Sequence, residues 1–169
     1  MKRILFLFIL LGLVGFTETE KVRFESNDGK TKLTATDQWK AAGNMKGAEI
    51  FISRRNRLSG VPATISVTKD PGLLEGTDLN TYSAGKIFLQ TAVLKTSPNV
   101  MGETTINSRT YLFFEYEYNN KELMKMRSLV YHTLIGTTGY QFVVTTDSKS
   151  FDQNRPFYIE ILESLEISN

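Results

Sequence analysis

The chain has 169 residues, 41% of them hydrophobic, with 20 basic and 18 acidic residues and no cysteine. That is enough for one domain with a real core and too few for two comfortable ones. The missing cysteine excludes disulfides, thiolate metal sites and a cysteine nucleophile, and also the acylated cysteine that anchors a bacterial lipoprotein.

Lys2 and Arg3 precede a 13-residue apolar run, Ile4 to Phe16. A membrane span needs about 20 residues, so residues 1–17 read as a secretory signal peptide, with cleavage after Gly15 or Thr17. Residues 18–169 are then one domain. Losing Lys2 and Arg3 leaves 18 basic against 18 acidic residues. A neutral domain offers nucleic acid no charged footprint. No N-x-S/T sequon is present, and an exported domain without disulfides suits a bacterial envelope or secreted setting.

KVRFES (Lys21 to Ser26) alternates as a strand does, Asn27-Asp28-Gly29 suits a tight turn, and KTKLTAT (Lys30 to Thr36) returns. Trp39 follows in a loop and is expected to plug the core. AEIFISRR (Ala48 to Arg55) and ATISVTKD (Ala63 to Asp70) are the next strands. In the second, Ile65 and Val67 share one face, and Thr64, Ser66 and Thr68 the other, as in a sheet with one wet side. Between them Arg54, Arg55 and Arg57 could grip an acidic partner.

From Thr77 or Asp78, either able to cap a helix, Leu79, Tyr82, Leu89 and Ala92/Val93 recur at helical spacing through Leu94. Ser97-Pro98 stops the helix. A strand ends at a turn on Asn107-Ser108. TYLFFEYEY (Thr110 to Tyr118), LMKMRSLVYHTLI (Leu123 to Ile135) and YQFVVTT (Tyr140 to Thr146) follow, the last two joined by residues 136–139. Phe151, Tyr158, Ile161/Leu162 and Leu165 form a final helical stripe, with Pro156 expected in its first turns. Four strands, a helix, four strands and a helix, with short turns between neighbouring strands, predict an α+β fold: an antiparallel sheet of six to eight strands covered by two helices.

Three stretches carry a family resemblance: KLTATDQW, the run INSRTYLFFEYEY through GYQFVVTT, and RPFYIEILESLEIS. In that order they resemble the PsbP-like and DcrB-like proteins. The resemblance implies a non-enzymatic binding or assembly protein. It names no catalytic residue, because the family spans extrinsic photosystem subunits, envelope proteins and chaperones for secreted effectors. Asp37 stands where family members often have Pro, and the signal separates the chain from the chaperone branch.

The sequence holds few chemical motifs. His132 is the only histidine, so a Ser-His-Asp triad or a zinc site would have to use it. Its strand setting beside apolar residues predicts a packed histidine with a hydrogen-bond partner. No phosphate- or dinucleotide-binding glycine motif appears, and no cofactor is expected. Glu115 and Glu117, two apart on a strand, lie about 6.6–6.8 Å apart along it, within the spacing of an inverting glycosidase. The competing reading pairs Glu117 with Lys125, Glu115 with Arg127, Tyr116 with Met126, Tyr118 with Met124 and His132 with Thr110. Charges then meet opposite charges, and adjacent cations oppose the raised pKa a catalytic acid needs.

The sequence thus predicts an exported, non-enzymatic envelope binding protein. Its partner is another envelope or secreted protein, and the mature chain keeps no stable membrane span. Arg54, Arg55, Arg57, Glu115, Glu117, Tyr118, Lys125 and Arg127 are the candidate contact residues. The alternatives are a hydrolase using Glu115/Glu117 and a carrier of a small apolar ligand near Phe113, Tyr131 and Phe142.

Overall fold

The computed structural model describes residues 19–43, 45, 47–55 and 60–168. Residues 1–17, read from the sequence as a signal peptide, and Arg57 lie outside them. Strands β1 (Lys21–Glu25), β2 (Thr31–Thr36), β3 (Lys40–Ala41), β4 (Ala48–Arg54) and β5 (Ala63–Asp70) precede helix α1 (Leu79–Leu94). Strands β6 (Val100–Ile106), β7 (Arg109–Asn119), β8 (Lys125–Ile135) and β9 (Thr138–Asp147) follow, then helix α2 (Ser148–Glu163) and β10 (Glu166–Ile167). Seven strands form one antiparallel sheet in the order β3-β4-β5-β9-β8-β7-β6. The opening hairpin does not join it. It forms a second sheet, β1-β2-β10, with the chain's last strand. The fold is α+β, as the element pattern implies.

The alternation read in ATISVTKD has a direct packing result. Ile65 and Val67 point into the main core with Ile52, Leu129, Phe142 and Val144, and the small sheet adds Leu33 and Ala35. Helix α2 closes this side with Phe151, Tyr158, Ile161 and Leu162. Trp39 is buried there, edge-on to Tyr158 at 6.4 Å. Phe113, Tyr131 and Phe142 belong to the same side, and their neighbouring ring centroids lie 5.8 and 6.4 Å apart. They fill the layer with one another.

Turn chemistry sets the hairpins. Asn107 and Ser108 both have positive φ, 51° and 61°, as a two-residue turn matched to strand twist requires. The β8–β9 turn needs only Gly136 and Thr137, because Ile135 already pairs with Thr138. Asp78, not Thr77, caps α1, accepting from the Thr81 N–H at 2.7 Å. Asp147 caps α2 through the Lys149 and Ser150 N–H groups.

Two expectations need correction. Pro156 lies in the middle of α2, which begins at Ser148. It withholds the N–H that would bond the Asp152 carbonyl, and the helix continues because its buried stripe holds both halves. On α1 the stripe is buried only at Tyr82, with Ser83 beside it; Leu89 and Val93 stay exposed, and Ile87 and Leu94 pack on Phe114, Tyr116 and Val130.

Candidate functional site

The β7–β8 hairpin carries most of the charged candidates. Its register differs by two residues from the sequence reading: Glu117 stands opposite Arg127, Glu115 opposite Leu129, Tyr118 opposite Met126 and His132 opposite Leu112. The cause is the loop. The Asn120 side chain accepts from the N–H groups of Glu122 and Met124, and Leu123 takes a positive φ of 60°. This five-residue loop closes on Asn119 and Lys125, one step before a Tyr118–Met124 pair could form. A shift of two keeps every side chain on its face. The ion pairs therefore survive on the diagonal, Arg127 Nη2 to Glu115 Oε2 at 2.8 Å and Lys125 Nζ to Glu117 Oε1 at 4.0 Å.

Glu115 is only 3% exposed. Its second oxygen accepts from the Arg155 guanidinium of α2. Arg127 also reaches Asp152 at 2.7 Å and lies over the Phe151 ring at 4.1 Å. Two carboxylates and two guanidiniums thus join the sheet to α2. Each Glu115 oxygen is engaged by a cation and the group is closed to solvent, an arrangement that locks a helix and offers a substrate no opening. Glu117 and Lys125 stay exposed. Arg54 is folded inward, over Trp39 at 5.3 Å and donating to Asn154 Oδ1 at 2.7 Å. Arg55 is exposed.

The opposite face of the large sheet is organised differently. His132 has no exposed surface. Its ring lies 5.6 Å from that of Tyr82 on α1 and 5.1 Å from that of Phe114. Neither ring nitrogen has a partner in hydrogen-bonding geometry among the described residues, although the amide of Gln141, its ladder partner, is placed to favour the charged ring. Burial pushes the imidazole down from 6.5 to about 4, and the Lys86 charge adds to the effect. Tyr82 donates to Asp70 at 2.7 Å, and Lys86 bridges the same carboxylate at 2.7 Å. Burial works to raise the Asp70 pKa, but these bonds outweigh it and hold the carboxyl below its usual range. Burial and Asp70 together lift the Tyr82 phenol above its ordinary value. Gly139 makes room for this arrangement, since a Cβ there would overlap the Tyr82 ring. Sequence reasoning missed the cluster. Tyr82 and Lys86 show a shared helix face by their i, i+4 spacing, but only the fold brings Asp70 and His132 to them.

Beyond the cluster, α1 overhangs an open groove of about 350 Å³. Leu89, Val93 and Leu94 form its helix wall, Val130 and Val143 line its floor, and Tyr118 of the charged hairpin stands at its end. The Tyr118 and Ser128 hydroxyls lie 3.2 Å apart, and Ser128 and Thr145 2.9 Å apart. Leu89, Val93 and the adjacent Phe88 are 58%, 78% and 74% exposed. Met101 on edge strand β6 is also exposed.

No sequence family and no curated protein matches the chain. Solved structures do. Cyanobacterial PsbP (CyanoP) from Synechocystis sp. PCC 6803 superposes with a TM-score of 0.61 at 10% identity, over 90% of this chain and 95% of that one. The chain has a PsbP-like fold. LpqN of Mycobacterium tuberculosis, described as involved in cell envelope biogenesis, gives a TM-score of 0.60 at 14% identity over 90% and 92% of the two chains. PA94 of Pseudomonas aeruginosa, a protein of unknown function, gives 0.53 at 10% identity over 92% and 88%. The PsbP-like architecture is thus shared across nearly whole chains at 10–14% identity. Among the described residues no helix is long and apolar enough to cross a membrane.

Proposed function

We propose that this PsbP-like protein is exported and works in the cell envelope by binding another envelope or secreted protein, without catalysis. The observation that carries the reading is the groove beside α1, where Leu89 and Val93 of the helix and Tyr118 of the hairpin line one open apolar surface. Exposed apolar side chains gathered at one place, with polar groups at the margin, mark interaction surfaces. Lys86, Gln90 and Gln141 supply the polar groups beside the groove. The apolar run at Ile4 to Phe16 supports export, and the likeness to LpqN supports the envelope setting. The buried Glu115 carboxylate, held by two guanidiniums, favours binding over hydrolysis. The groove's volume falls within the range of small-molecule sites, so a small apolar ligand is the second reading.

A photo-reactive phenylalanine placed at Phe88 or Val93, with Lys30 as the control position, tests this in cells that make the protein. The expected result is one crosslinked protein band from the α1 positions, absent from the control and lost with Leu89→Lys. Equal labelling at all three positions would overturn the docking assignment, and a crosslinked lipid or small molecule in place of a protein would favour the second reading.

A further inference from the structure

Helix α1 is held to the sheet by a small and unusual contact. Of its 16 residues only Tyr82 and Ser83 are buried, and the Ser83 hydroxyl has no hydrogen-bond partner among the described residues. The Tyr82 ring rests on His132, the chain's only histidine. His132 faces Tyr82 and Lys86 from α1, Asp70 from β5, the neutral amide of Gln141 from β9 and the apolar Leu112 and Phe114 from β7. A proton on this ring would sit in an apolar layer with Lys86 as a like-charged neighbour. Asp70 offers little relief, because its carboxylate is already shared by Tyr82, Lys86 and Gln141. Moving α1 away removes both the ring above His132 and the ammonium beside it.

We propose that His132 is an acid-sensitive pin for α1: protonation of its ring frees the helix from the sheet while the α2 side stays closed. Release uncovers Phe114, Tyr116 and Val130, which α1 shields with Ile87 and Leu94. The apolar groove then becomes a broad apolar face. Its use in docking rests on the proposed function, but the release is read without any partner, so either can fail alone.

The closed ring titrates at about 4 against 6.5 for a solvated one. Opening is therefore about 20-fold more favourable at pH 5 than at pH 7. Amide hydrogen exchange, corrected for the intrinsic pH dependence, should show α1 losing protection by about that factor while exchanging faster than α2 at both pH values, because α1 opens without the rest of the domain. Trp39, buried beneath α2, should keep its emission. The ring resonances of the single histidine should titrate well below 6.5. His132→Phe should make α1 exchange independent of pH over this range; His132→Gln serves if the phenylalanine variant does not fold. Equal protection of α1 and α2 at both pH values, a Trp39 shift over this range, or an undiminished pH response without the histidine would overturn the proposal.

Discussion

Helices α1 and α2 each run for 16 residues, yet α2 sinks Phe151, Tyr158, Ile161 and Leu162 into the core while α1 buries only Tyr82 and Ser83. Each crosses one face of the same sheet. On the α2 side the sheet presents Ile65, Val67, Leu129 and Val144, and the small sheet completes the enclosure. The α1 side presents Thr64, Ser66, Thr68, Ser128 and Thr145 beside its few apolar residues. A helix laid on hydroxyl groups gains little by covering them, since burying a polar group brings no hydrophobic gain. The difference shows how one protein can keep a rigid side and a loosely covered side. Stability resides in the first, and the proposed docking surface belongs to the second.

The largest test strikes the rigid side. Phe151→Ala removes a fully buried ring that also carries Arg127. It should cost about 3–5 kcal/mol, read by urea unfolding with Trp39 as the probe, whereas Val93→Ser on α1 should change stability by less than about 0.5 kcal/mol. Equal losses would erase the distinction between the helices. Next comes the lock itself. Glu115→Gln leaves Arg127 and Arg155 sharing a neutral amide, and should cost about 3 kcal/mol in the same assay, toward the low end for breaking a buried pair because Arg155 is partly exposed. A variant that melts like the parent would mean that α2 is held by apolar contacts alone.

The third test concerns the α1 side. His132 has a folded pKa below its unfolded value, so the folded state keeps the ring neutral and the unfolded state takes up the proton. Its contribution is fully present above pH 6.5 and is lost as pH falls toward 4. Between pH 7 and pH 5 stability should fall by about 2 kcal/mol, and His132→Phe should flatten that slope. The smallest effect lies at the hairpin tip. A double-mutant cycle on Glu117 and Lys125, 4.0 Å apart and exposed, should give a coupling of a few tenths of a kcal/mol at most, about the value for surface pairs. A coupling above about 1 kcal/mol would place the pair in a better-defined contact than the diagonal one.

The sequence was most legible where one physical rule decides the outcome. Period-two alternation in ATISVTKD identifies the core face, and the stripe Phe151, Tyr158, Ile161, Leu162 and Leu165 identifies the buried side of α2. Register was less legible. Pairing four charges at once is satisfied equally well by ladder contacts and by diagonal ones, and the Asn120-led loop chooses between them. Helix α1 was legible as a helix, and of its stripe Tyr82 is buried while Leu89 and Val93 are not. Leu89 and Val93 recur as regularly as Ile87 and Leu94, and spacing does not say which row meets the sheet. Arg155 was not legible as a Glu115 partner at all, since 40 residues separate them and only the landing of α2 brings them together.

That contact has a consequence for the order of assembly. Glu115 finds Arg127 once the β7–β8 hairpin pairs, but its second guanidinium arrives only with α2, which follows in the chain every main-sheet strand it covers. Pairings so distant along the chain are slow to form, because loop closure must precede any gain from contact. Until then the large sheet holds one apolar face open, with a half-neutralised carboxylate beside it. A nascent chain paused before Ser148 therefore exposes the apolar face that α2 covers in the folded state, and aggregation is the expected hazard.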